Sequence, residues 1–165
     1  MRTITKKELQ EILWSHRQWL RSEGQRGRKA NLSRADLPRA NLSNTDLQEA
    51  ELIRANLSGA NLRWANLSYA YLYGAKLTKA DLCWANLSEI DLSETNLSRA
   101  SLYEADLAQA DLCGANLSWA DLWRADLREA DLRVATAKDC RILGARFSSP
   151  EDRARLMMLG AVEKW

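Results

Sequence analysis

Acid–base chemistry near neutral pH most often calls on histidine, and the chain holds one, His16. It falls among Leu9, Ile12, Leu13 and Leu20 at helical spacing, the place of a packed core histidine rather than of a ligand or general base. Paired carboxylates can also act as general acid and base. Here, however, the Asp residues recur at one fixed position of a short repeat, so their abundance reflects architecture. Cys83, Cys113 and Cys140 are odd in number and lack paired CxxC spacing. That pattern suits small buried or turn thiols and neither a disulfide framework nor a zinc site. No phosphate loop, nucleophile constellation or metal-ligand cluster stands in the sequence. The expectation is a chain that is not an enzyme and has no catalytic residue, cofactor or metal.

What the residues offer instead is recognition. Tryptophan and tyrosine recur conspicuously, and clusters of exposed aromatics mark interfaces. Which of them share a surface depends on the elements that carry them. Leu stands at every fifth position from Leu32 to Leu132, 21 consecutive times. Ala precedes it by two residues in 18 of those 21 units, with Thr45, Ile90 and Thr95 as exceptions. Asp or Asn lies between in 17, with Glu51, Tyr71, Lys76 and Ser101 as departures. The unit is A-(D/N)-L-x-x.

A period of five fits neither straight element. On an α-helix it would spiral Leu around every face, and on a flat strand it would send successive Leu to opposite sides. Within a unit, Ala, Asp/Asn and Leu read in, out, in, which is strand alternation over three residues. The other two residues must turn. If each turn is near a right angle, four units close a coil of 20 residues, with parallel ladders between stacked coils satisfying the backbone. Trp64 and Trp84 then stack at one corner, with Tyr103 and Trp123 beside the next levels, while Tyr69, Tyr71 and Tyr73 crowd one coil. These seven residues are the candidate interaction surface.

The repeated A-(D/N)-L-x-x resembles the pentapeptide-repeat family. The resemblance implies an all-β solenoid, a right-handed quadrilateral β-helix. The register decays at Ala135-Thr136-Ala137 and recovers at Cys140-Arg141-Ile142 and Ala145-Arg146-Phe147. Units starting at residues 30 to 145 make about six coils, a shaft on the order of 29 Å long.

Short helices should cap both ends, dividing the chain into 1–29, 30–149 and 150–165. Thr5 and Glu8 form a capping box with Ile4 and Leu9 as its staple, so a helix starts there and runs to about Arg21. Residues 23 to 28 read as a flexible basic connector. Ser149, Pro150, Glu151 and Asp152 begin a second helix reaching about Leu159. In and beyond it, Leu156, Met157, Leu159, Val162 and Trp165 offer an apolar surface to cover the last coil, to join a C-terminal homodimer, or to do both.

The net charge of +2 hides a segregation, with +5 over residues 1–29, −5 over 30–134 and +2 over 135–165. Neither a leader peptide nor an apolar run of spanning length is present, so a cytoplasmic, membrane-free location is expected. The leading functional reading is a non-catalytic scaffold for an unknown protein partner, without direct nucleic-acid contact. The alternative follows from the resemblance: some family members imitate DNA with an acidic rod and regulate or protect a type II topoisomerase, DNA gyrase. In this chain Arg34, Arg39, Arg54, Arg99 and Arg124 interrupt the acidity.

Overall fold

The computed structural model describes residues 1–163. Every fifth-position Leu from Leu32 to Leu132 is buried, Leu37 being the most accessible at 5%. Where the pattern decays, Ala137, Ile142 and the half-buried Phe147 take the Leu places. The middle residue of each unit forms a parallel bridge with the residue 20 positions later, as in Asn31 with Glu51 and Asp36 with Asn56. The bridges run in four columns, starting at Asn31, Asp36, Asn41 and Asp46. Pairing at a separation of 20 defines a turn of four units. Because each crossing is one residue wide, continuous strands are confined to Arg2–Thr3 (β1) and Ala35–Asp36 (β2), which pair in parallel.

The hydrogen bonds explain the unit residue by residue. In the first turns the middle residue's N–H reaches back one coil (Glu51 N to Ala30 O, 2.9 Å), while those of Leu and of the fifth residue reach forward (Leu32 N to Glu51 O, 2.7 Å; Arg34 N to Ile53 O, 2.8 Å). The next Ala closes the turn (Ala35 N to Leu32 O, 3.0 Å). The fourth residue's N–H is left over, and the Asp or Asn two residues before it accepts it, as in Ser33 N to Asn31 Oδ1 at 3.0 Å and Cys113 N to Asp111 Oδ1 at 2.9 Å. In most units Asp or Asn thus satisfies the last backbone donor of the repeat. At Asp36 the fourth residue is Pro38, which has no N–H, and the carboxylate instead accepts from Asn56 Nδ2 at 2.7 Å. Thr95, buried at an Ala position, bonds back to Leu92 O at 2.5 Å.

The fifth residue has positive φ in every unit from Arg34 to Gly144, the sign required at the third position of a type II turn. Only Gly59, Gly74, Gly114 and Gly144 among them are glycine. The others hold a conformation costing an L-residue about 1–2 kcal/mol, and in most units the same residue's N–H bonds to the next coil, as in Arg34 N to Ile53 O at 2.8 Å. Val134, at φ 49° and 74% exposed, is the most strained of them because it is β-branched. Val134→Gly is expected to stabilise the protein by about 0.5–1 kcal/mol, steric relief outweighing the added chain entropy. A denaturant midpoint that falls would show that the turn is not strained there.

Both ends are closed by a helix plus a short extended segment. At the start, β1 continues the Asp36 column below the first turn, with Arg2 N donating to Arg34 O at 2.7 Å. Helix α1, Lys6–Arg21, follows the Thr5–Glu8 capping box. The Thr5 bonds hold the Glu8 carboxyl below its usual range. Leu9 and His16 are buried, in continuity with the core of the first coil. The connector expected to be flexible is folded back onto α1: Arg28 N donates to Ser15 Oγ at 2.9 Å. At Gly27 (φ 75°) a Cβ would stand 2.1 Å from Ser15 O, so only glycine fits this return. Trp19 stacks on His16, but Trp14 is 65% exposed.

At the far end Ser149 caps helix α2, Pro150–Met158, by accepting from Asp152 N at 3.2 Å. Leu156 is fully buried. The chain then returns so that Val162 N donates to Cys140 O (2.7 Å) and Ile142 N to Val162 O (3.0 Å), adding a rung to the Asn41 column. Met157, Met158 and Leu159 stay exposed, and Trp165 lies outside the described residues.

Candidate interaction surface

The 20-residue turn brings Trp64, Trp84, Tyr103 and Trp123 onto the face of the Asn41 column. Trp64 and Trp84 stack with centroids 4.8 Å apart and planes 4° from parallel. Tyr103 meets Trp84 edge-on at 5.2 Å, and Trp123 meets Tyr103 at 5.3 Å and 67°. The change from stacked to edge-on has a simple origin. Trp64 and Trp84 occupy fifth positions, whereas Tyr103 and Trp123 occupy fourth positions, so the column steps sideways at Tyr103. Each ring contact contributes about 0.5–1.5 kcal/mol beyond its buried area.

Charges lace this column. The Arg63 guanidinium lies over Trp84 at 4.4 Å and pairs with Asp81 at 3.1 Å. Burial pushes the Asp81 carboxyl up, but bonds from Cys83 and Arg63 outweigh it and hold it below its usual range. Glu104 accepts from Trp84 Nε1 at 3.1 Å and pairs with Arg124 at 3.2 Å. Its bond with Tyr103, then that with Arg124, keeps the carboxyl low, and the same Tyr103–Glu104 bond pushes the phenol up. The outermost ring, Trp64, is 56% exposed.

The three tyrosines do not form one cluster. Tyr69 donates to Glu89 Oε1 at 2.5 Å, Tyr71 lies under Lys29 at 5.6 Å, and Tyr73 lies under Arg54 at 5.8 Å. Among the described residues no ring–ring contact joins them. Tyr69 turns a different corner from Tyr71 and Tyr73, because it ends the preceding unit. Trp119 was not singled out from sequence. It is 49% exposed, with Arg99 at 5.5 Å and Lys138 at 5.7 Å over its ring. Its 20-residue spacing from Arg99 is the signal that would have found it.

The groups that suggested chemistry are committed elsewhere. His16 is fully buried, and its Nδ1 accepts Ala30 N–H at 3.1 Å, so the proton sits on Nε2. Nε2 has no hydrogen bond of good geometry. Burial holds the His16 pKa below 6.5, against the opposing pull of Asp46, the Gln48 backbone and Glu49, with Lys29 adding to the lowering. Neutral imidazole therefore supports the fold above the unfolded-state pKa of about 6.5, and that support is lost as pH falls toward the folded value. Denaturant midpoints are expected to decline below about pH 6.5 in the intact protein and to lose part of that slope in His16→Gln. Equal slopes would exclude the histidine as the source. Cys140 is buried with its thiol pushed up to about 12, so it is no activated nucleophile. Among the described residues no group of three or more His, Cys, Asp or Glu could hold a metal ion, and no helix is long and apolar enough to cross a membrane.

A shaft of five-residue units, most closing their own turn with an Asp or Asn and pairing 20 residues on, defines a repeat protein that offers long flat faces. The sequence model described as pentapeptide repeats matches in 8 copies, over residues 28–63, 46–83, 81–118 and 115–149, and the chain belongs to that family. Among solved structures it is similar to HetL, a pentapeptide repeat protein involved in heterocyst differentiation regulation from the cyanobacterium Nostoc sp. strain PCC 7120. HetL is 32% identical over 83% of this chain and 65% of its own, with a TM-score of 0.32. This chain thus spans a little under two thirds of HetL's length. Another Nostoc pentapeptide repeat protein, alr5209, is 31% identical over 90% of this chain and 91% of its own, with a TM-score of 0.30. A trypsin-treated form of QnrB1, a plasmid-mediated fluoroquinolone resistance protein, is 24% identical over 86% and 75%, with a TM-score of 0.49. No curated protein matches the chain.

Proposed function

We propose that the chain is a rigid, non-catalytic scaffold, a right-handed quadrilateral β-helix of about six coils with a cap at each end, that binds a protein partner through its aromatic face. The observation that carries this reading is the unbroken column from Trp64 through Trp84 and Tyr103 to Trp123. Aromatic rings framed by arginine are enriched at interface hot spots, and here they stand on a backbone too extensively hydrogen-bonded to yield. Tyr69, Tyr71 and Tyr73 contribute at separate corners. The unpaired thiols Cys83, Cys113 and Cys140 suit the reducing cytoplasm.

The test is capture from native lysate with the intact chain and with Trp64→Ala. Trp64 contacts one ring of the column and is the most exposed of the four, so its removal should lower stability only by about the 0.5–1.5 kcal/mol of one ring contact and its buried area while abolishing capture. Retained capture, or a melt that collapses with it, would assign the column to stability alone. DNA imitation needs a continuous acidic surface, and two observations weigh against it here. Asp126 is paired with Arg128 and Arg146, and the face of the Asp36 column is cationic. Gyrase supercoiling is accordingly expected to be unaffected at micromolar protein, and inhibition lost on neutralising Asp106, Asp126 and Asp131 would replace the scaffold reading.

A further inference from the structure

Sorting the outward side chains by column divides the charge of the shaft in a way its net value conceals. The Asp46 column and its turns carry Asp46, Glu49, Glu89, Asp106, Asp126 and Glu129 against Arg128 and Arg146. Two units away, on the opposite side of the coil, the Asp36 column and its turns carry Arg39, Lys76, Lys79, Arg99 and Lys138, and the preceding corner adds Arg34 and Arg54. All seven are exposed. Their pairing is as uneven as their placement. Arg63, Arg124, Arg128, Arg133, Arg141 and Arg146 all have carboxylate partners. Among the described residues none of the seven does.

We propose that this face is a docking strip for an acidic helical segment of a partner protein, distinct from the aromatic face. Three features fix the shape of the occupant. First, the cations stand along both edges of the strip. Arg34 and Arg54 are fifth-position residues at one corner, and Arg39, Lys79 and Arg99 are fifth-position residues at the next. The floor between them is flat and lined by hydroxyls and amides such as Asn56, Ser58, Thr78, Asn96 and Ser98. A three-residue strand spans about 10 Å, close to the ~10–12 Å diameter of a helix with its side chains.

Second, the coils repeat about every 4.8 Å, against a helical pitch of about 5.4 Å, so a carboxylate on each turn of one helix face meets a cation on each of the first four coils, before Trp119 on the next and Lys138 beyond it. Third, the strip holds few opposing charges. Asp36 accepts from Asn56 Nδ2, Asp139 stands at the far end, and Glu94 shares the corner of Arg34 and Arg54. The exposed Trp119, flanked by Arg99 and Lys138, gives the occupant an apolar anchor. A nucleic-acid duplex suits the strip less well, because it is wider than one face and would overhang Glu51, Asp91 and Asp111 on the adjoining side.

The experiment is a fluorescence-anisotropy titration at low salt with a labelled helical peptide carrying glutamate once per turn on one face, run beside poly-U RNA. Saturable peptide binding is expected, weakened roughly tenfold or more by Lys79→Glu with Arg99→Glu and unchanged by Arg128→Glu on the opposite side. If the first pair of substitutions disturbs the turns, seen as a lowered melting temperature, Lys76→Glu with Lys138→Glu should produce the same loss from positions of ordinary φ. Absence of peptide binding, or binding indifferent to both reversal pairs, overturns the proposal. So does tighter binding of poly-U that the same reversals abolish, which would assign the strip to nucleic acid.

Discussion

Leu82→Ala is expected to destabilise the protein by about 2–5 kcal/mol. Leu82 is 1% exposed at the middle of the shaft, with Leu62 below it and Leu102 above it in the same column. Each of those side chains is held by its own coil, whose backbone is fixed by bonds such as Leu62 N to Asp81 O at 2.7 Å and Leu82 N to Ser101 O at 2.8 Å. The vacated space cannot be filled by a collapse that would break those bonds, so the cavity persists and its cost approaches the upper part of the range. The comparison is Ser88→Ala. Its hydroxyl donates to Asn86 Oδ1 at 2.7 Å, but that oxygen still accepts the Ser88 backbone N–H, and the expected loss is under about 1 kcal/mol. Equal shifts of the two denaturation midpoints would contradict the inward assignment of the fifth-position leucines.

Removing residues 1–22 is expected to turn the chain into concentration-dependent oligomers. Two protections are lost together. Without β1, the first rung of the Asp36 column presents unpaired backbone groups, starting with Arg34 O. Without α1, the first leucine layer of Leu32, Leu37, Leu42 and Leu47 loses Ile4, Leu9 and His16 from its cover, and Ala30 N loses its acceptor. An open β edge over an exposed apolar layer is a template for end-to-end growth. Light scattering after size exclusion reads the outcome directly. A truncated chain that keeps the intact protein's mass and melt would show that α1 is no lid. Tryptophan emission from α1 should be mixed rather than uniformly blue-shifted, because Trp19 is half-buried against His16 while Trp14 remains largely in water.

Two features near the ends escaped sequence reasoning for the same reason. Arg2–Thr3 and Val162 are too short to carry a strand pattern of their own, and they pair only because a finished coil offers them an edge. The connector of residues 23–28 has the composition of a flexible segment, yet Gly27 and Arg28 are fixed by Ser15, a contact 13 residues apart for Arg28 that no local pattern encodes.

The shaft itself was legible because each of its requirements recurs every five residues. Inward Leu and Ala follow from strand alternation, and the turn of 20 follows from four such units closing on themselves. The recurring Asp or Asn was visible too, but its role was not. Only the hydrogen-bond pattern identifies the fourth residue's N–H as the donor that would otherwise go unsatisfied. The aromatic column was anticipated by counting in twenties, whereas the separation of the three tyrosines depended on which corner each turn occupies. What the sequence determined alone was therefore the repeating, local part of the structure: which side chains face in, where the chain turns, and which residues stack at multiples of the coil. The tertiary structure decided everything set by contacts between unlike segments, namely the extended segments that complete the closed ends, the Ala30 N–H bond that His16 accepts in the core, and the sorting of cations with and without carboxylate partners onto different faces. Those depend on where side chains from different coils meet in space, and a five-residue period carries no record of that.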